Sequence, residues 1–418
     1  MQTSPPAGPP RRPSATPPSA PGGFENTPLT IDIPPSRREL SHHDIIFTGS
    51  GSEYFRIWIV NLLLMLLTLG LYYPWAKVRK LRYFYGNTIV AGYPLAYHAD
   101  ARQSFRGFLL VAALMAVYSL AGQTSPLASG LAGLILAAIW PALFRASLQF
   151  RMGNTSWRGL RMGFNGSLKD AYLVFLTPMA LVIGTGVLMA VIMPFLGQAL
   201  GHVASLLIGL AMLLMLALIG PYTWWRLKRY QHSHYTLGQL QTQFKAGFGD
   251  VSRVFLQTSL LGLGALVLLG GMLAVMLARS GLSLRSPGTP EVWTALLGQA
   301  SILLIGFGLL TQFLVGAFYT SRMHNLVWGR TGNRQMRFKG HLHVGAVARV
   351  SAVNLFLLAL TLGLYWPFAL VAMTRLKLHA IEVISRLSPE QLMARASPAQ
   401  NDAAGDFAAD LIGVDVGL

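Results

Sequence analysis

A chain of 418 residues with 53% hydrophobic and only 11% charged residues, at a mean hydropathy of +0.48, is too apolar for a set of soluble domains and reads as an integral membrane protein. Its formal net charge of +18 would suggest nucleic-acid binding in a soluble protein, but the basic residues sit in loops bordering apolar runs, so membrane topology accounts for them and no nucleic acid is expected. No cysteine occurs, which excludes disulfides and thiolate metal sites.

In chain order, proline in "MQTSPPAGPPRRPSATPPSAPGG" blocks helix and strand alike, and its twin arginines lack the apolar core of a cleavable signal; residues 1–40 are expected to form a disordered arm. "HHDIIFTGSGSEYF" then reads as a strand, with the Gly-Ser-Gly-Ser at 49–52 as a turn. Apolar runs follow at 105–121, 127–147, 171–196, 203–225, 254–278 and 295–320, each near the roughly 20 residues needed to cross a hydrocarbon core about 30 Å thick. Two further apolar segments, 56–75 and 347–373, flank these six, so 41–385 is expected to be one polytopic membrane domain. Residues 386–418, rich in Ala and Asp, read as a loose tail.

The connectors share a design: a basic, aromatic exit from the membrane, alternating polar residues, an aromatic-x-Gly element, then re-entry. Alternation in "LRMGFNG", "LQTQFKAG" and "QMRFKGH" predicts short strands or hairpins, and Phe47-x-Gly49, Phe164-x-Gly166 and Phe338-x-Gly340 mark a true repeat. Two-thirds of the Lys and Arg, 22 of 33, lie in the four connectors; the opposite loops hold only Arg279 and Arg285. The connectors are therefore expected in the cytoplasm, together with both termini.

The terminal segments share a phrase, "LTLGLYYPWAKVR" from Leu67 and "LTLGLYWPFALVAMTR" from Leu360. Had each crossed once, both basic ends would lie outside. Thr68-Leu69-Gly70 and Thr361-Leu362-Gly363 supply a hydroxyl and a permissive backbone, and Pro74 and Pro367 break hydrogen bonding again. The expected fold is thus an all-α polytopic helical bundle with internal repeats: six full spans, two re-entrant or broken terminal helices, and small cytoplasmic β-hairpin-like connectors. The alternative is eight spans.

The stretch "FTGSGSEYFRIWIVNLLLMLLTLGLYYPWAKVRKLRYFYGNT", with its Phe-x-Gly opening, Asn61, the Thr-Leu-Gly-Leu-Tyr phrase, Pro74-Trp75 and Asn87-Thr88, resembles the YjgN family of bacterial inner-membrane proteins. The resemblance covers roughly 45–382. It implies a multi-pass helical protein of the bacterial inner membrane and transfers no catalytic or binding residues, the family being one of unknown function.

Chemistry is sparse. None of the 15 Asp and Glu lies in the middle of an apolar run; Glu53, Asp170 and Asp250 precede spans, which argues against a carboxylate-driven proton relay. His-Glu-x-x-His, Gly-x-Ser-x-Gly and Walker patterns are absent, so no enzyme and no cofactor are expected. His232-x-His234 and His341-x-His343, with His324 nearby, could each present two imidazoles from one strand face, but they lack the third and fourth ligands of a zinc site, and no metal is assigned. Intramembrane polar groups matched across the repeat, Asn61 with Asn354, Thr68 with Thr361, Gly70 with Gly363 and Tyr72 with Tyr365, mark a candidate pathway. Arg79, Lys80, Arg82, Arg158, Arg161, Arg226, Lys228, Arg229, Arg337 and Lys339 are candidates for anionic lipid headgroups on the cytoplasmic side. The expected role is a non-enzymatic conduit or a handler of lipid or small solutes. The alternative is a scaffold or regulatory partner of another membrane protein; membrane lipids are the expected partners, and a protein partner or homo-oligomer is left open.

Overall fold

The computed structural model describes residues 40–199, 201–280 and 289–396. The expected N-terminal arm lies outside these residues except for Leu40. So do residue 200 and 281–288 of the opposite loops.

The chain repeats one unit five times: strand, outgoing helix, returning helix, strand. The first is β1 (Ser41–Phe47), α1 (Gly51–Leu67), α2 (Tyr73–Gly86) and β2 (Thr88–Val90). The second is β3 (Tyr93–Tyr97), α3 (Ala101–Thr124), α4 (Pro126–Gly153) and β4 (Thr155–Trp157), and the third β5 (Leu160–Phe164), α5 (Leu168–Ala199), α6 (Gly201–Ser233) and β6 (Tyr235–Leu237). The fourth opens on two fragments, β7 (Leu240–Gln241) and β8 (Gln243–Phe244), and continues through α7 (Phe248–Arg279), α8 (Pro290–Gly329) and β9 (Thr331–Gly332). The fifth is β10 (Met336–Gly340), α9 (Val344–Leu360), α10 (Trp366–His379) and β11 (Ile381–Ser385). The six helices of the middle three units are long and apolar enough to cross a membrane.

Local chemistry sets the boundaries. The acids that precede spans are helix caps: the Glu53 carboxylate accepts from Ser50 N at 3.4 Å while Ser50 Oγ accepts from Glu53 N at 3.2 Å, and Asp170 with Ser167 and Asp250 with Gly247 do related work at α5 and α7. Returning helices end on hydroxyls and amides that bond back one turn. Asn87 and Asn154 donate to Tyr83 O and Phe150 O, and Thr88, Thr155 and Thr331 donate to Phe84 O, Arg151 O and Val327 O. The Phe-x-Gly motif has a steric cause: a Cβ on Gly49 would stand 2.8 Å from the Phe47 ring, and one on Gly166 2.5 Å from the Phe164 ring. At Gly340 the obstacle is the Asn325 backbone, 2.9 Å away.

The strands are more than isolated hairpins. They form a single antiparallel sheet in the order β7-β6-β5-β4-β3-β2-β1-β11-β10-β9-β8, whose outermost members are separated in the chain by Thr242 alone. The ladder therefore closes on itself. Each hairpin alone would expose two raw edges, and pairing with the next removes them, which favours closure over separate hairpins. The seam joins the first and last strands, Ser41 opposite Ser385 and Asp44 opposite Glu382.

Each terminal apolar segment is two helices that fold back, not one rod. Tyr83, near the end of α2, donates to Ser50 O at 2.9 Å and stacks on Tyr54 in the first turn of α1; Ala380, after α10, packs with Val347 near the start of α9. A continuous helix through 56–75 or 347–373, as the eight-span alternative requires, is absent. At the other end, 386–396 departs from the loose-tail expectation: Pro389–Ala396 is a helix, α11, with Leu392 and Ala396 buried, while the remainder of that tail lies outside the described residues.

Candidate functional site

The two short hairpins stand side by side. Phe55 of α1 contacts Phe368 of α10 with ring centres 5.7 Å apart, Tyr54 and Val371 share a core, and Arg375 donates to Gly49 O at 2.7 Å. Their flanks pack on long helices, Trp75 against Phe105 of α3 and Leu342 against Ala317 of α8.

Their turns are nearly superimposable in bonding. Thr68 Oγ1 donates to Leu64 O at 2.7 Å and accepts from Tyr72 N at 3.0 Å; Thr361 does the same with Leu357 O at 2.6 Å and Tyr365 N at 3.0 Å. Gly70 N reaches Met65 O and Gly363 N reaches Leu358 O, each at 2.8 Å. With Leu69 N on Leu66 O, Leu71 N on Thr68 O and Tyr73 N on Gly70 O, every backbone donor from Thr68 to Tyr73 has a partner inside the hairpin. The geometry needs left-handed backbone at two successive residues, Leu69 and Gly70 (φ 49° and 89°) and again Leu362 and Gly363 (φ 49° and 93°). Leu69 and Leu362 crown the tips at 95% exposure, flanked by exposed Leu66, Leu67, Leu71, Leu360 and Leu364. Such a turn can lie in hydrocarbon with no unsatisfied donor, which the bilayer otherwise forbids to non-helical backbone.

The eight residues matched across the repeat thus build the hairpins. Both threonine hydroxyls are committed to backbone, Tyr72 stacks on Trp75 and Tyr365 on Phe368. Asn61 and Asn354 are both buried, but their bonding differs: Asn354 Nδ2 donates to Ala369 O at 3.3 Å, whereas Asn61 Oδ1 has no partner among the described residues.

Of the basic residues expected at headgroups, Arg79, Lys80, Arg82, Arg161, Arg229, Arg337 and Lys339 are exposed. Arg226 and Arg229 lie over Tyr222 and Trp225. Arg158 is occupied, lying 4.0 Å over the Tyr93 ring and pairing with Glu390 of α11 at 3.2 Å. Lys228 is turned inward and donates to Gln231 at 3.1 Å. Arg56 was missing from that expectation although its repeat mate Arg349 was visible in the sequence; it shares a groove with Arg79 and Arg82.

The histidine pairs do not lie in strands. His232 sits on the last turn of α6, buried, with its ring 3.2 Å from Thr331 Oγ1; His234 follows the helix and bonds Tyr230 O at 2.8 Å; His343 caps α9. Helix ends splay i and i+2 apart, so the shared strand face is lost. Among the described residues no group of three His, Cys, Asp or Glu is placed to hold a metal ion.

The closed sheet also carries a charged seam. His42 Nδ1 and Glu382 Oε1 meet at 2.5 Å across β1 and β11, and that hydrogen bond is the main cause holding the Glu382 carboxyl below its usual value.

Comparison with known proteins finds relatives named for the inner membrane. The chain is 34% identical over 188 residues to the inner membrane protein YjgN of Salmonella typhimurium strain LT2, covering 44% of this chain and 46% of that one. Against the inner membrane protein YjgN of Escherichia coli K12 it is 32% identical over 150 residues, covering 35% and 38%. The match spans less than half the length of either relative. No solved structure matches. With relatives so named and six helices able to cross a bilayer, the chain is a multi-pass protein of the bacterial inner membrane. A family model described as a bacterial protein of unknown function (DUF898) matches residues 42–411, and the chain belongs to that family.

Proposed function

We propose that the protein handles membrane lipid, without bond-making chemistry, at the sector where two adjacent units stop partway through the bilayer. Depth carries this reading. From Arg56 to Leu67, and equally from Arg349 to Leu360, a helix rises roughly 17 Å at 1.5 Å per residue, while α3 from Arg106 to Thr124 rises roughly 27 Å, close to a whole hydrocarbon core. With the sheet facing the cytoplasm, as the distribution of Lys and Arg supports, the inner leaflet meets protein all round the ring. The outer leaflet meets only lipid over the two short hairpins. Exposed leucines at self-satisfied turns suit contact with acyl chains, and a bilayer pinned between long and short units thins there, lowering the barrier to lipid movement between leaflets.

The test is reconstitution of the full chain into liposomes carrying fluorescent phospholipid, with the outer leaflet bleached chemically. Bleaching beyond the outer-leaflet half is expected, and a time course equal to that of protein-free liposomes overturns the reading in favour of a scaffold. Re-entry is tested separately. Because the chain has no cysteine, Leu69→Cys can be probed directly, and labelling by an impermeant maleimide from the periplasmic side of intact cells would contradict a buried tip.

A further inference from the structure

Between α1 and α2 of the first short hairpin lies an open groove of about 470 Å³ lined by Arg56, Ile57, Val60, Arg79, Arg82 and Tyr83. Resting on the lipid-handling reading, we infer that this groove is a binding site for the phosphate of a glycerophospholipid, with an acyl chain laid over Ile57 and Val60.

The charge argument comes first. Three guanidiniums converge on one groove, and the ion pairs among the described residues, His42–Glu382, Arg158–Glu390 and Arg330–Asp250, include none of them. The Glu53 carboxylate, which feels the Arg56 charge only weakly, accepts from the Tyr83 hydroxyl at 3.0 Å and from Ser50 N at 3.4 Å. Arg82 spends one nitrogen on Ala99 O at 3.4 Å, and Arg79 lies 5.8 Å from the Tyr72 ring centre, which restrains its direction without consuming its donors. Planar guanidiniums held this way match the oxygens of a phosphate in pairs.

The apolar part of the lining selects a lipid over a free anion. Arg56, Ile57 and Val60 follow one another along α1, so the groove sets hydrocarbon directly beside cation. Arg56 and Arg82 lie close to the sheet end of the hairpin, at the level where headgroups sit if the tips point into the bilayer.

The internal repeat supplies a control within the same molecule. In register with the shared phrase, Arg349 stands for Arg56 and Arg375 for Arg82, but Ala372 replaces Arg79 and Leu376 replaces Tyr83. Arg375, like Arg82, gives one nitrogen to a backbone carbonyl, here Gly49 O at 2.7 Å. The second hairpin keeps the fold of the first and lacks two of the groups that make the groove.

The experiment is native mass spectrometry of the purified full chain titrated with dioleoyl phosphatidylglycerol, repeated with inorganic phosphate as competitor. One tightly held lipid is expected, weakened about fivefold in Arg79→Gln and roughly thirtyfold in Arg79→Gln/Arg82→Gln, with Arg349→Gln unchanged. Arg79 is exposed and, among the described residues, touches the fold only at the Tyr72 ring, so the single variant remains readable if the double variant does not fold. Equal affinity in wild type and Arg79→Gln, an equal loss in Arg349→Gln, or displacement of the lipid by inorganic phosphate at matched concentration overturns the assignment. Because the readout is binding, it is independent of lipid movement: retained binding in liposomes that move no lipid would leave this site standing while the lipid-handling reading falls.

Discussion

The short terminal units and the long middle ones share boundaries, caps and strand partners, yet reach different depths. Helix α7 runs through 32 residues, including Gly262, Gly264, Gly270 and Gly271, without breaking, whereas α1 stops after 17. Glycine alone therefore does not end a helix in this protein. What ends it is a threonine one residue before Leu-Gly, whose hydroxyl takes over the acceptor role for the amide four residues on.

The strongest way to break the contrast is to remove the turn outright. Thr68→Ala/Leu69→Ala/Gly70→Ala favours a continuous helix, which would carry α2 away from β1 and open the sheet at β1–β2; a loss above about 3 kcal/mol is expected, seen as disappearance of the monodisperse species in detergent chromatography. A gentler version compares like with like. Thr258 in α7 also donates to the carbonyl four residues back, Val254 O at 2.8 Å, but among the described residues no amide bonds to its hydroxyl. Thr68→Val should cost about 2 kcal/mol, because Tyr72 N loses its acceptor, and Thr258→Val less than about 0.5 kcal/mol, both read by denaturant unfolding in micelles. Smaller still, Gly70→Ala should destabilise by about 1 kcal/mol through its left-handed backbone, with open space around the new Cβ. Gly264→Ala in a regular helix should instead be neutral or stabilising by up to about 1 kcal/mol. Equal signs would sink the claim that the turn sets depth.

The smallest expected effect lies at the seam that holds the short units together. Glu382 is shifted below its ordinary 4.5, so its contribution to stability is complete above pH 4.5 and is lost as pH falls through the folded-state value. Melting temperature should drop across that window in the wild type, and the drop should shrink in Glu382→Gln.

Much of this was legible before any coordinates. The paired Thr-Leu-Gly phrase located both turns to the residue, and the recurring Phe-x-Gly marked three of the described strands, β1, β5 and β10. Ring closure was not legible: strands of two to seven residues carry too little alternation to specify partners, and the seam joins residues more than 300 positions apart. The reason for Phe-x-Gly was equally hidden, since only folded geometry shows a phenylalanine ring lying where the glycine's Cβ would be. Lys228 and the histidine pairs were misplaced for a related reason. Which way a residue on a helix end faces depends on the neighbouring helices, and those are chosen by the ring. Arg56 was different: register with Arg349 shows a basic position in both repeats, but only the folded hairpin brings it beside Arg79 and Arg82.

The β1–β11 seam has a consequence for synthesis. A ribosome releases β1 first and β11 last, so the founding strand must wait, one edge unpaired, while every intervening helix is inserted. Assembly therefore ends with a single clasp, and a nascent chain cut short before Ile381 keeps two open edges however many of its helices have entered the bilayer correctly.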